Sequence, residues 1–218
     1  MTSRALIAID GVDGSGKSRF ARALAAACEA AGAGPVVIFS VDDFRRPLGP
    51  VPPDAEEGAI YYDRYYDFAL LDDCLTRFLA GAPSVSIPRF DTALERVDGQ
   101  QELELGKARL ALLEGVFVLR APAAATGALI VLEVSEPEAR RRILERDMGR
   151  GRQRDVVEHR MNNRYFPAQR AYRAAFDPLG RADVVIDNER WDRPRLVRQK
   201  SDRLPRVVEK ALPTVVPS

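Results

Sequence analysis

Short apolar runs alternate with longer, more polar stretches along most of this 218-residue chain. Residues 5–9, 35–40, 110–113, 128–134 and 182–186 are brief, apolar and mostly aliphatic, the pattern of strands buried on both faces. The stretches between them suit helices, beginning with the Ala-rich segment 19–31. This alternation predicts βαβ units and an α/β fold, a mostly parallel sheet with helices on both faces. In such a sheet ligands bind beyond the carboxyl ends of the strands. Attention therefore falls on residues 10–18, Asp42-Asp43, Glu114-Gly115 and Asp187-Asn188, which follow predicted strands.

The first of these exits reads Gly11-Val12-Asp13-Gly14-Ser15-Gly16-Lys17-Ser18, a complete G-x-x-x-x-G-K-[ST] phosphate loop between a strand and a helix. Its glycines let successive backbone N–H groups turn inward, and the helix N-terminus adds a positive end for phosphates. The expected nucleotide site comprises Gly11, Asp13, Gly14, Ser15, Gly16, Lys17, Ser18 and Arg19. Lys17 would reach the β- and γ-phosphates and Ser18 would ligate Mg²⁺. A dinucleotide loop is excluded, because Gly14-x-Gly16 is followed by Arg19 where G-x-G-x-x-G needs its third glycine.

The remaining exits add acidic chemistry. Asp42 and Asp43 follow the second strand; one carboxylate there can accept the proton of an attacking hydroxyl, with Asp42 the first choice and Asp43 in support. Glu114 ends an apolar run, as expected of an acid that helps to hold Mg²⁺, so the metal set is Ser18, Asp42 and Glu114. Between Asp54 and Asp67 lie four of the six tyrosines, Tyr61, Tyr62, Tyr65 and Tyr66, around Asp63, suited to a ring and to sugar hydroxyls. Eight arginines fall between 140 and 160, with glycines at 149 and 151, which reads as a lid over a transferring phosphate. At least two of Arg140, Arg141 and Arg142 are expected in surface ion pairs. His159, the only histidine, is expected on a solvated helix face.

Composition narrows the picture. With 33 basic and 32 acidic residues, net charge +1, no global charge recruits nucleic acid or an anionic membrane. No apolar run approaches the roughly 20 residues of a bilayer span. Cys28 and Cys74 suit buried small residues of a reduced, cytoplasmic protein, with no disulfide. Residues 46–53 read as a Pro-rich loop. Residues 1–190 are read as one domain with a lid at about 146–155; residues 191–218, with seven basic against three acidic residues and several prolines, are read as an extension with one short helix near 204–212. The partner expected is a small molecule; homo-oligomerisation is left open. A GTPase switch is disfavoured, since no Asn-Lys-x-Asp element occurs and Asp177-Pro178-Leu179-Gly180 follows a predicted helix.

Taken together, the loop at 11–18, Ser40-Val41-Asp42-Asp43-Phe44, Tyr62-Asp63, Tyr66-Asp67-Phe68, Ile87-Pro88-Arg89-Phe90-Asp91, Leu113-Glu114-Gly115-Val116, the arginine lid and Ala182-Asp183-Val184-Val185-Ile186 resemble, in order, the uridine kinase branch of phosphate-loop kinases, whose relatives include phosphoribulokinase and bacterial pantothenate kinases. The resemblance implies a five-stranded parallel core and transfer of the ATP γ-phosphate, with Mg²⁺, to the 5′-hydroxyl of uridine or cytidine. It further implies Asp42 as base, Asp63 and Tyr62 near the ribose, Phe90 near the base ring, Arg164 as a substrate contact, and Arg146 and Arg152 as lid residues acting with Lys17. The chain departs from uridine kinases at residues 91–96, which carry no histidine. Another small alcohol, such as pantothenate, a sugar or a sugar phosphate, is the alternative acceptor, and Arg45, Arg46 and Arg64 would suit an anionic one.

Overall fold

The computed structural model describes residues 4–48, 50, 52, 54–91, 96–200 and 203–216, so the departure at 92–95 lies outside the described residues. In chain order the strands are β1 (Ala5–Gly11), β2 (Val36–Ser40), β3 (Ser84–Asp91), β4 (Arg96–Glu104), β5 (Leu110–Glu114), β6 (Ala128–Glu133), β7 (Val184–Asp187) and β8 (Arg195–Gln199). The helices are α1 (Lys17–Ala30), α2 (Glu57–Arg64), α3 (Phe68–Leu79), α4 (Glu136–Met148), α5 (Arg154–Arg160), α6 (Phe166–Phe176), the short α7 (Pro178–Arg181) and α8 (Arg206–Val215).

Five strands pair in parallel in the order β2-β5-β1-β6-β7, and β8 adds antiparallel to β7. The main sheet thus has six strands, not the five expected. The extra strand was hidden in the sequence because Arg195-Leu196-Val197-Arg198-Gln199 is a mostly exposed edge, with no buried alternate positions to give it a period of two. β3 and β4 form a separate antiparallel hairpin, also unassigned by apolar pattern because β4 is polar and exposed. The C-terminal helix spans Arg206–Val215 and packs against α1.

Alternation along the parallel strands divides the core in two. Ile7, Ile9, Leu112, Ile130 and Leu132 face α1 and α8, while Ala8, Leu113, Val131 and Val185 face the layer containing α3 and α6. Cys28 and Cys74 are buried, unlinked thiols, one in each layer. Leu112 is fully enclosed on β5, paired with Ile7 on one side and Ile38 on the other. Leu112→Ala is expected to cost about 2–5 kcal/mol through lost burial and the cavity left behind. A fall in the urea midpoint at unchanged denaturant slope would register this. Among the described residues no helix is long and apolar enough to cross a membrane.

Candidate active site

Because the five central strands run in parallel, Gly11, Ser40, Glu114, Glu133 and Asp187 all end at one edge, and the phosphate loop rises from the middle of it. Gly14 and Gly16 have left-handed backbone, φ 79° and 91°. A Cβ on Gly14 would lie 2.7 Å from the Ala139 carbonyl oxygen, and one on Gly16 would lie 2.9 Å from Asn188 Nδ2. Both positions therefore require glycine on two counts. The loop is held from outside: Asn188 Nδ2 donates to the Ser15 carbonyl at 2.6 Å, and Arg142 donates to the carbonyls of Gly14, Asn188 and Glu189. Helix α1 begins without a side-chain cap, leaving its first N–H groups for an anion. Buried Lys17 donates from Nζ to the Val12 carbonyl at 2.8 Å, which folds the ammonium back over the loop. Arg19 stacks on Trp191, its guanidinium carbon 3.8 Å from the ring centroid.

Glu114, buried at the end of β5, accepts from Ser18 Oγ at 3.0 Å and from Ser40 Oγ at 2.7 Å. The short helical turn Val41–Phe44 buries Val41 and Phe44 and turns Asp42 and Asp43 outward beside this network. Burial, then the charges of Asp42 and Glu114, raises the Asp43 pKa above the usual carboxylate value. Such a concentration of negative charge with hydroxyl and carboxylate oxygens suits a hard divalent cation. Among the described residues no three acidic, histidine or cysteine side chains converge into a protein-only cage. Mg²⁺ in general retains waters and takes phosphate oxygens alongside one or two protein groups. Ser18 and Glu114, with Asp42 on the turn that follows Ser40, are the residues that would hold it.

A cavity of about 580 Å³ opens in front of the loop. It gathers Asp13, Asp42, Phe90, Arg146 and Arg152, together with Asp43, Arg45, Tyr61, Tyr65 and Tyr66, all singled out from the sequence. A chain of hydroxyls crosses its wall: Tyr61 donates to Asp13 Oδ2 at 3.2 Å, its oxygen lies 3.4 Å from that of Tyr66, and Tyr66 donates to Asp42 Oδ1 at 3.0 Å. Burial, reinforced by the neighbouring acids, drives both phenols well above their ordinary pKa, so they stay protonated donors.

The arginine-rich segment expected to form a lid contains an arrangement that its sequence alone did not reveal. Asp147, fully buried, receives Arg146 Nε and Arg152 Nη1, each at 2.8 Å. Burial alone would raise its pKa, but the two guanidinium groups outweigh this and hold it below the ordinary value. One carboxylate thus orients both Arg146 and Arg152. Arg140 and Arg141 form surface ion pairs as expected, whereas Arg142 braces the phosphate loop. Between α5 and α6 the helix widens into a π turn, Met161–Tyr165, and Arg160 and Tyr165 on either flank line the cavity. The only signal in the sequence was the Arg-Asp adjacency at 146–147; the π turn left none.

Three residues expected near the substrate lie elsewhere. Tyr62 and Asp63 line a separate groove of about 530 Å³; Asp63 is 62% exposed and 3.9 Å from Arg120. Helix α2 places Tyr61 inward and its next neighbours outward, so adjacency in sequence did not bring Asp63 to Asp42. Arg164 pairs with Glu57 at 3.0 Å and donates to Tyr65 Oη at 3.3 Å, outside the cavity lining. His159 lies on an exposed face of α5, as expected, and from there also engages Glu57, at 2.7 Å from Nε2. Phe90 reaches the cavity, with the guanidinium of Arg45 between it and Tyr65, 4.8 and 4.7 Å from the two ring centroids.

Behind the loop, Asp10 accepts from Gly11 N at 2.6 Å and from the Tyr172 hydroxyl. Burial pushes its pKa up to about 6, against the smaller opposing effects of Tyr172 and Lys17. A raised folded-state value makes its contribution to stability greatest below pH 4 and progressively lost as pH rises to about 6. Asp10→Asn removes that slope: relative to wild type, the variant should gain on the order of 2–3 kcal/mol between pH 4 and pH 7. Urea unfolding of both proteins across that interval tests it; parallel stability profiles would contradict the assignment.

No protein-family model and no curated protein matches the sequence. Solved structures do. The chain is similar to a possible uridine kinase from Bacillus stearothermophilus, at 21% identity and TM-score 0.67, covering 85% of this chain and 89% of that one. It is also similar to a candidate fructose transport system kinase from Silicibacter sp. TM1040, at 25% identity and TM-score 0.64, covering 80% and 86%. A third, D-glycerate 3-kinase from Cryptococcus neoformans var. grubii serotype A, aligns at 14% identity and TM-score 0.54 over 77% and 78%. The fold is that of the phosphate-loop kinases grouped around uridine kinase, phosphoribulokinase and pantothenate kinase. Within that class the three structures differ in the acceptor their names give.

Proposed function

We propose that this chain is an ATP- and Mg²⁺-dependent kinase that phosphorylates a hydroxyl of a small molecule, with the 5′-hydroxyl of uridine or cytidine as first candidate. The observation that carries the reading is the single cavity lined by Asp13 of the phosphate loop, Asp42, Arg146 and Arg152. The phosphate loop and Lys17 position the β- and γ-phosphates. Asp42 takes the acceptor's proton as its oxygen bonds to the γ-phosphorus and the bridging oxygen leaves with ADP. The lid arginines and Lys17 neutralise charge on the transferring group. Mg²⁺, which Ser18 and Glu114 with Asp42 would hold, would supply positive charge to the phosphate oxygens.

The nucleoside acceptor is supported by Phe90 and the tyrosines of the cavity wall, and by the name of the Bacillus structure. A second reading, an acceptor carrying a carboxylate or phosphate, is favoured by Arg45, which stands at the same wall with its Nε buried and without a hydrogen-bond partner. Mass spectrometry of products from a pool of nucleosides, pantothenate, sugars, sugar phosphates and hydroxy acids with ATP and Mg²⁺, run beside Lys17→Ala, tests both. Uridine or cytidine monophosphate supports the first reading and a phosphorylated anion the second. No product from any alcohol, with nucleotide still bound, would overturn the kinase assignment.

A further inference from the structure

Asp42 and the residues after β7 stand on opposite flanks of the phosphate loop. In the parallel array β2-β5-β1-β6-β7 the loop leaves the middle strand, the Asp42 turn leaves β2 at one end, and Asn188 to Trp191 leave β7 at the other. The β7 flank is built tightly against the loop, through Asn188 on the Ser15 carbonyl and Arg142 on the carbonyls of Gly14, Asn188 and Glu189. Just beyond stands Trp191, the one tryptophan of the sequence. Its indole carries the guanidinium of Arg19, 3.8 Å from carbon to ring centroid, and Arg19 is the residue after Ser18 on the first turn of α1. Trp191 is nevertheless 50% exposed and lies outside both apolar cores; among the described residues it is the one exposed aromatic side chain. A ring of this size, fixed by a cation rather than by core packing and with half its surface in water, presents a flat π-face to whatever lies beside it.

From this arrangement we infer that Trp191 and Arg19 form the seat of the nucleotide's base, which deepens the proposed function and rests on the phosphate loop holding a nucleoside triphosphate. Direction decides the placement. A triphosphate lying in the loop with its γ-phosphorus toward Asp42 points its other end, the ribose and base, toward β7. On that flank Trp191 offers a ring, and the guanidinium stacked on it adds positive charge beside the polyphosphate. A purine laid on the pair gains dispersion and cation–π attraction from side chains already held in place, so little of their freedom is lost on binding. Stacking uses the π-face of a base and leaves its hydrogen-bonding edges unread. The seat therefore supplies affinity common to purines and does not separate ATP from GTP.

A non-hydrolysable ATP analogue and inorganic tripolyphosphate, each with Mg²⁺, are the probes, because they share the phosphates and differ in the ribose and base. With a single tryptophan in the chain, intrinsic fluorescence reads the seat directly. The analogue should quench it saturably, and tripolyphosphate should leave it nearly unchanged. Calorimetry supplies the affinities of variants that lack the fluorophore. Trp191→Ala should weaken the analogue about fivefold or more while moving tripolyphosphate by less than about twofold, and Trp191→Phe should recover most of the loss. Equal weakening of both probes by Trp191→Ala, with a lowered thermal midpoint, would make Trp191 a clamp on the segment after β7 and overturn the inference. So would an unquenched tryptophan at saturating analogue, or unchanged analogue affinity in Trp191→Ala. Each of these results leaves the kinase reading standing, whereas a wild-type chain that binds neither probe would overturn both. None of the measurements needs a phosphoryl acceptor.

Discussion

Lys17→Ala is expected to lower turnover by about three orders of magnitude, the scale on which a preorganised charge in a dry site acts on a transition state. Lys17 is buried, so its ammonium works at low local dielectric, and its bond to the Val12 carbonyl keeps it within the loop rather than in solvent. The structural cost of the change should be modest. The loop's shape is fixed independently by Asn188 and Arg142, through bonds that do not involve the lysine. Circular dichroism and thermal unfolding should thus stay close to wild type while phosphoryl transfer disappears. Turnover within tenfold of wild type would mean that another cation, such as Arg146, carries the phosphate.

The second large effect is expected at Asp42. Asp42→Asn keeps the shape and an acceptor for the Tyr66 hydroxyl, and removes only the capacity to take a proton. Turnover should drop about 10²- to 10⁴-fold. Affinity for ATP should move by less than about threefold, since the nucleotide is held by the loop. Asp43→Asn is the informative companion. Asp43 sits among like charges, so neutralising it relieves repulsion and should cost far less activity. If the two variants exchanged their effects, the base would be Asp43 and the Tyr66 bond would be structural.

Why so much of this was legible follows from where the information resides. Buried parallel strands are written as uninterrupted apolar runs, and all five of those runs became strands of the main sheet. The phosphate loop is a local backbone geometry, so Gly14 and Gly16 declare it without help from the rest of the chain. Asp13 and Asp42 lie on segments that leave the same sheet edge, and Arg146 lies on the helix that follows β6, so their convergence follows from parallel topology, whereas Phe90 arrives on the separate β3–β4 hairpin. What stayed illegible depends on contacts between distant segments. Gln169 meets Asp13 across a separation of 156 positions, and Tyr172 meets Asp10 across 162. Helix phase matters just as much: on α2 it sent Tyr61 to the site and Asp63 to another groove. β8 carries no apolar code at all, because a solvent-facing edge is held by backbone pairing alone.

Arg142 and Arg146 stand one helical turn apart on α4, yet they belong to different machines. The first is bolted to the phosphate loop and to the end of β7; the second, gripped by Asp147 together with Arg152, belongs to the lid. Helix α4 is therefore both frame and arm, and any pivot between them must fall beyond the Arg142 anchor. The left-handed Gly151, with open space around its Cα, is the natural axle. If residues 146–155 close over a bound phosphate as proposed, they would turn against a fixed seat, and substitutions at Gly151 should alter that closure while leaving the bracing of the loop by Arg142 intact.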